Sequence, residues 1–343
     1  MNKKTGILVF KVIMTLGILG YLFYTARNTH QFRDLSWNDL NWGWLTIAIL
    51  SCLAAHVVSY LRWRILVRAL DIPFSIFDAI RIGFIGSFFT LFAFGLVGGD
   101  SLRAFYVTRQ VKHRVPEAIA SVLADRMIGL LTMFSFASVA FLTADIFNGS
   151  NLANPNKMST LFHTCRVIMI ATVIGYGLLI TLLFVPQLTR NQSFQRLTEL
   201  PKAGSLFKRL ANVLNVYRTQ LPAVGFCFLL SSVCVIFFTI SIFSVALAIS
   251  NAHPSFTQHF IITPIAMTAN AIPSAGGIGG MELAVDFLYT AFAPENRNDR
   301  SIVIAFTFRS VLLVTSAIGG IAWFLNRRSF KNIRENPEPD TPK

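Results

Sequence analysis

The chain has 343 residues, of which 54% are hydrophobic and 13% charged. A soluble domain carries roughly 25% charged residues and lacks apolar runs of about 18 or more, so a water-soluble globular fold is excluded. The net charge of +14 would suit nucleic acid, but the basic residues lie in short connectors beside apolar runs and not in a separate basic domain. That is the pattern of a membrane topology signal and of attraction to anionic headgroups.

In chain order, apolar runs over 6–25, 43–66, 118–143, 164–185, 222–249 and 301–325 read as membrane-spanning helices. The first is long for a signal peptide and has no small-x-small cleavage pattern around Tyr21–Arg27, so it reads as a retained helix. Basic connectors hold Arg62, Arg64, Arg68 and Arg81, then Arg103, Arg109, Lys112 and Arg114. Further basic clusters are Lys208, Arg209 and Arg218 within 186–221, and Arg327, Arg328, Lys331 and Arg334 after the last span. Keeping all of them on the cytoplasmic side requires two apolar stretches to enter the membrane and return. These are about 82–100 and 258–293, and each contains helix breakers: Gly95, Gly98 and Gly99 in one, Pro273, Gly276, Gly277, Gly279 and Gly280 in the other. Irregular backbone at membrane depth is tolerated where protein or water satisfies it, not lipid. The alternative is a pair of ordinary short spans that break the charge rule.

The expected fold is therefore all-α and polytopic, with six or more spanning helices and two broken hairpins in a single domain over 1–330. Hairpins dipping from opposite faces raise the possibility of an inverted repeat, although the two halves show no clear sequence identity. Leu206, Leu210, Val213, Leu214, Tyr217 and Leu221 recur at helical spacing and predict an amphipathic helix on the cytoplasmic surface, or a plain connecting helix. Residues 335–343 are polar and Pro-rich and are expected to be disordered.

Charges within the spans are the informative residues, since each costs about 2.5–3.5 kcal/mol at a helix centre unless paired or hydrated. Asp125 and Arg126 lie inside the 118–143 run and Arg309 inside 301–325. Asp100 and Arg103 follow the first glycine break; Glu282 and Asp286, four apart and so on one helix face, follow the second. Internal ion pairs would explain any one of them. Clustering around both breaks points instead to a hydrated cavity. Cys52, Cys165, Cys227 and Cys234 lack metal-ligand spacing and read as packing residues, and His253 and His259 as a surface pair. The run AGGIGG has no strand before it and no βαβ unit around it, which removes a dinucleotide site; a glycine turn entering a helix still presents N–H groups to an anion.

The segments GLVGGDSLRAFYV, ASVLADRMIGLL and PSAGGIGGMELAV resemble the motifs of the lysylphosphatidylglycerol synthase transmembrane-region family over about 10–325. Gly99, Asp100, Arg103, Asp125, Arg126, Pro273, Gly277, Gly279 and Glu282 match by position. The resemblance implies a flippase-like membrane half without the soluble aminoacyl-transferase half that bifunctional members add.

The reading is a lipid flippase-like transporter, not an enzyme, that moves an anionic, aminoacylated or polyprenyl-linked lipid between leaflets. Asp100, Arg103, Asp125, Arg126, Glu282, Asp286 and Arg309 would bind substrate. Gly98, Gly99, Pro273, Gly276, Gly277, Gly279 and Gly280 would act as hinges. No cofactor, metal or nucleic acid is expected; membrane lipids, and a separately encoded lipid-modifying enzyme, are the candidate partners. The expected location is a bacterial cytoplasmic membrane with both termini inside. A membrane-embedded transferase acting on lipid-linked substrates and a non-transporting partner of another enzyme are the alternatives.

Overall fold

The computed structural model describes Tyr24 and residues 40–91, 95–110, 115–143, 155–184, 215–250, 253–270, 279–292 and 300–325. Among the described residues the fold is all helix: α1 (Trp42–Arg68), α2 (Ile76–Phe89), α3 (Gly95–Gln110), α4 (Val115–Thr143), α5 (Pro155–Phe184), α6 (Leu221–Ile249), α7 (Phe256–Ala269), α8 (Gly280–Phe292) and α9 (Ser301–Leu325). Five of them are long and apolar enough to cross a membrane: α1, α6 and α9, and the stretches Glu117–Thr143 of α4 and Ser159–Thr181 of α5. The chain is a multi-pass membrane protein. The expected span at 6–25, most of the amphipathic segment 206–221, and the tail lie outside the described residues, although Tyr217 is described and buried beneath α1, its hydroxyl donating to Leu66 O at 3.2 Å.

Local chemistry fixes where the helices start. Asn41 accepts from the backbone N–H groups of Gly43 and Trp44 and caps α1, and Ser75 caps α2 through Asp78 N. Ser255 and Gln258 form a reciprocal capping box on α7. The stretches expected to be broken are each two short helices: α2 and α3 have 14 and 16 residues, α7 and α8 have 14 and 13. At 1.5 Å per residue they reach roughly 20–24 Å, short of a hydrocarbon core of about 30 Å.

At the centre, α1 and α6 pack along their length. Ser241 Oγ donates to Ala48 O at 2.7 Å, Cys234 Sγ to Ala55 O at 3.4 Å, and Cys227 Sγ reaches toward Arg62 O at 3.7 Å. Each step is seven residues forward on α1 and seven back on α6, so the helices are antiparallel and meet along one seam of small residues. All four cysteines are free and buried, and two of them hold this seam.

Since α1 and α6 run oppositely, the chain leaves them at opposite ends of the molecule. Each helix pair then returns to the end it left. Arg62, near the end of α1, is bonded to Asp125, early in α4, and Arg300, just before α9, donates to Ile249 O at the end of α6. Thus α2–α3 is a hairpin from one end and α7–α8 a hairpin from the other. The packing pattern is unchanged when α1, α2, α3 and α4 are exchanged with α6, α7, α8 and α9. α2 lies on α9 as α7 lies on α4, α3 on α4 as α8 on α9, and α1 on α4 as α6 on α9. The possible inverted repeat is a property of the packing. Sequence comparison of whole halves missed it because the echo is confined to the turns: Gly95-Leu-Val-Gly-Gly-Asp-Ser-Leu102 against Gly276-Gly-Ile-Gly-Gly-Met-Glu-Leu283.

The glycines act differently from the expectation. Gly98 and Gly99 lie inside α3, so the first break falls before them, between Phe89 and Gly95. A Cβ on Gly99 would sit 1.9 Å from Thr90 Oγ1 and 2.4 Å from Gly86 O, so this glycine permits the two arms of the hairpin to touch. Gly279, with φ of 107°, adopts a conformation that favours glycine and turns the chain into α8, in which Gly280 is the first residue. Pro273, Gly276 and Gly277 lie outside the described residues.

Candidate functional site

A cavity of about 310 Å³ lies where the ends of α2 and α7 approach the central seam. Arg62 from α1, Arg103 from α3, and Asp125 and Arg126 from α4 border it, together with Ser231 from α6 and Asn270 at the end of α7.

Asp125 and Arg126 are neighbours in sequence but do not pair with each other, because successive helical residues point about 100° apart. Asp125 turns inward and accepts from Arg62 Nε at 2.7 Å; both side chains are almost fully buried. Arg62 Nη1 also donates to Ser231 Oγ, tying α1, α4 and α6 together. Arg126 reaches α3, where its Nε and Nη2 donate to the two oxygens of Asp100 at 2.8 and 2.6 Å. This two-pronged contact is the strong form of an arginine–carboxylate pair, yet Arg126 keeps 37% of its side-chain exposure.

Arg103 is buried and lacks a dedicated carboxylate. Its nearest approach to Asp100 is 3.9 Å, and its Nη2 donates to Gly83 O and Ser87 Oγ, each at 3.2 Å. The guanidinium lies 5.2 Å from the Tyr60 ring centroid and 5.9 Å from that of Trp63, distances at which aromatic faces attract a cation. Ser87 also bonds the Tyr60 hydroxyl at 2.6 Å, so a polar chain from α1 through α2 to α3 lines this wall.

In the second half, Glu282 and Arg309 form a pair of the same design. Arg309 Nε and Nη2 donate to Glu282 Oε1 and Oε2 at 2.6 and 3.1 Å, and both side chains are buried. Glu282 also accepts from Gly279 N at 2.8 Å, a contact that holds the turn and satisfies one free N–H at the start of α8. Arg309 Nη2 donates to Asn270 Oδ1 at 3.1 Å. Asn270 therefore touches both the cavity and the buried pair.

Of the site residues expected from sequence, Asp100, Arg103, Asp125 and Arg126 are brought together at the cavity, and Glu282 and Arg309 connect to it through Asn270. Asp286 does not join them: it points toward the start of α9, where Ser301 Oγ donates to it at 2.5 Å. Arg62, placed by sequence in a basic connector, is an internal residue of α1 and central to the site. Its signal was the seven-residue spacing after Ala48 and Ala55, which continues the buried stripe past the point where hydropathy falls. His259 is likewise not a surface residue; it is buried, with Nδ1 beside Ser255 O and Nε2 2.7 Å from the Tyr289 hydroxyl. Tyr60, Ser87 and Asn270 carried no sequence signal, being ordinary polar residues within apolar runs.

Two pseudo-equivalent groups of helices border one charged cavity in an all-α polytopic membrane protein. The chain belongs to the family described as lysylphosphatidylglycerol synthase TM region, whose profile matches residues 6–320. That makes it a membrane lipid-related protein. No curated protein and no solved structure matches the chain.

Proposed function

We propose that the protein is a flippase-like transporter that carries lipids with an anionic, phosphate-bearing headgroup from one leaflet to the other. The observation behind this reading is a charge imbalance at the cavity. Three guanidiniums, of Arg62, Arg103 and Arg126, face two carboxylates, of Asp100 and Asp125. Both carboxylates are bonded closely to Arg62 and Arg126, which leaves Arg103 a longer contact of 3.9 Å to Asp100 beside neutral acceptors and aromatic rings. A buried cation of this kind is costly unless an anion joins it, and a phosphate matches the guanidinium fork.

On this reading Arg126, the exposed member, meets the headgroup first and Arg103 draws it inward. Asp100 neutralises Arg126 when the cavity is empty and is within reach of Arg103 when a phosphate takes its place. An aminoacylated headgroup would add a cation, for which Asp100 is the partner; a polyprenyl phosphate would present the anion alone. The basic connectors beside the α1–α2 end support a cytoplasmic face there, and a bacterial cytoplasmic membrane is the setting proposed. Nothing in this role requires a catalytic step.

Leaflet exchange of fluorescent phosphatidylglycerol in proteoliposomes, read by quenching of the outer leaflet, tests the proposal. Exchange should be fast with the wild-type protein and fall at least about tenfold with Arg103→Gln or Arg126→Ala. Equal rates for all three proteins, each shown to be folded, would remove the reading.

A further inference from the structure

We propose that Arg309, Glu282 and Asn270 form a second anion half-site, occluded in this conformation, which receives the lipid phosphate when the two repeats exchange conformations. The inference rests on the cavity being a lipid site, and adds that the lipid is passed between two pseudo-equivalent arginines instead of resting at one.

The cavity wall obeys the same exchange as the helix packing. Thr90 and Asn270, which cap α2 and α7, are 180 positions apart and both border it, as do Ser87 and Met267 one turn earlier. Gly129 and Met133 of α4 correspond at a separation of 183 to Leu312 and Ser316 of α9, and all four are lining residues. The pseudo-two-fold axis therefore passes through the cavity.

At the same separation of 183, Arg126 corresponds to Arg309. Each sits in the span that follows its hairpin, and each grips with two nitrogens a carboxylate near the start of the hairpin's second helix, Asp100 or Glu282. Here the equivalence stops. Arg126 borders the cavity and is 37% exposed, whereas Arg309 is 5% exposed and separated from the cavity by Asn270. One fold thus holds one pair open to the cavity and its counterpart closed.

Exchanging the conformations of the two repeats keeps the classes of contact among these eight helices and reverses this difference. Arg309 then borders the cavity and Arg126 is closed in. Since the hairpins come from opposite ends of the molecule, the newly exposed arginine lies toward the opposite leaflet. Its chemistry suits the same cargo: Glu282 neutralises it when empty, and the Asn270 amide can turn to offer an N–H to a phosphate oxygen. The two conformations use equivalent contacts, which is the condition for both to be populated.

The test uses the full-length protein in sealed vesicles with a single added thiol, either Leu130→Cys, at a position that borders the cavity, or Leu313→Cys, at its counterpart 183 positions on, which is not among the lining residues, labelled by a membrane-impermeant maleimide from each face; the unsubstituted protein, with its four buried cysteines, supplies the background. The two positions should label from opposite faces. Glu282→Gln, which weakens the closed pair, should raise labelling of the Leu313→Cys protein and lower that of the Leu130→Cys protein, and Asp100→Asn should do the reverse. About tenfold is expected, equivalent to 1.4 kcal/mol of bias. If Glu282→Gln does not fold, Asn270→Ala, which removes the hydrogen bond to Arg309 and keeps the Glu282 carboxylate, should shift labelling in the same direction.

Phosphatidylglycerol vesicles should slow labelling of the Leu313→Cys protein relative to phosphatidylcholine vesicles. Protection by 10 mM-scale inorganic phosphate instead, on the order of ten times a millimolar affinity, would assign the half-site to a free anion and overturn the lipid assignment. Labelling of both positions from one face, shifts of both variants in one direction, or protection by neither anion overturns the proposal. Opposite-face labelling without any lipid exchange would sink the transport reading and leave the exchange of repeats standing. Lipid exchange with fixed labelling would do the opposite.

Discussion

Arg62 Nε and Asp125 Oδ1 meet at 2.7 Å across the interface of α1 and α4, with both side chains at least nine-tenths buried. Removing one partner leaves the other as an isolated buried charge, which costs about 3–5 kcal/mol. Asp125→Ala should therefore lower the thermal unfolding midpoint in detergent far more than a surface substitution does. The double variant Arg62→Met with Asp125→Leu should recover most of the loss. If the double variant is as unstable as the single one, the pair is not what holds these helices together.

Gly99 and Gly177 make a matched test of close approach. An alanine at Gly99 puts its Cβ against Gly86 O, a backbone atom that cannot rotate away, whereas nothing lies within 4 Å at Gly177. Gly99→Ala should cost about 1–3 kcal/mol, as overpacking does. Gly177→Ala should be neutral or stabilise by about 1 kcal/mol through helix propensity. Unfolding midpoints of the two proteins measured side by side decide it.

At Gly279 the constraint is conformational. Its φ of 107° penalises any side chain, and Gly279→Ala should destabilise by about 1–2 kcal/mol. The damage should concentrate at the start of α8, where Glu282 holds Gly279 N. Hydrogen exchange should show faster opening in α8 than in α1; uniform acceleration across the protein would contradict a local origin.

Headgroup preference should follow Arg103. With its excess charge in place, the protein should favour phosphatidylglycerol over zwitterionic lipid in competition. Arg103→Lys should keep that preference with weaker transfer, because the charge survives and the planar fork does not. Arg103→Gln should erase it. A preference that survives Arg103→Gln would place headgroup selection elsewhere.

Much of this architecture is legible in the sequence, for reasons that differ between its parts. Long apolar helices announce themselves because lipid imposes length and composition together, and α1, α6 and α9 begin and end within about two residues of their apolar runs. The hairpins are legible because charge bookkeeping leaves no room for an extra crossing. Ion-pair partners are not: Asp125 lies beside Arg126 in the chain and bonds Arg62, 63 positions away, a choice set by helix rotation and by what α1 presents. The repeat is also hidden, since lipid-facing positions tolerate any apolar residue and only the glycine turns retain a common pattern. Arg62 shows the limit of charge counting, which assigns it to a basic connector although it lies inside α1.

The seam between α1 and α6 bonds side chain to main chain at Ala48 and Ala55. A carbonyl cannot be deleted by substitution, and each bond here is shielded from competing water. Whatever tilting the flanking helices undergo, this central spine has reason to keep its register, like the fixed pin of a hinge. Spectroscopic labels placed either side of it should hold one spacing throughout the working cycle, while labels on the hairpins should not.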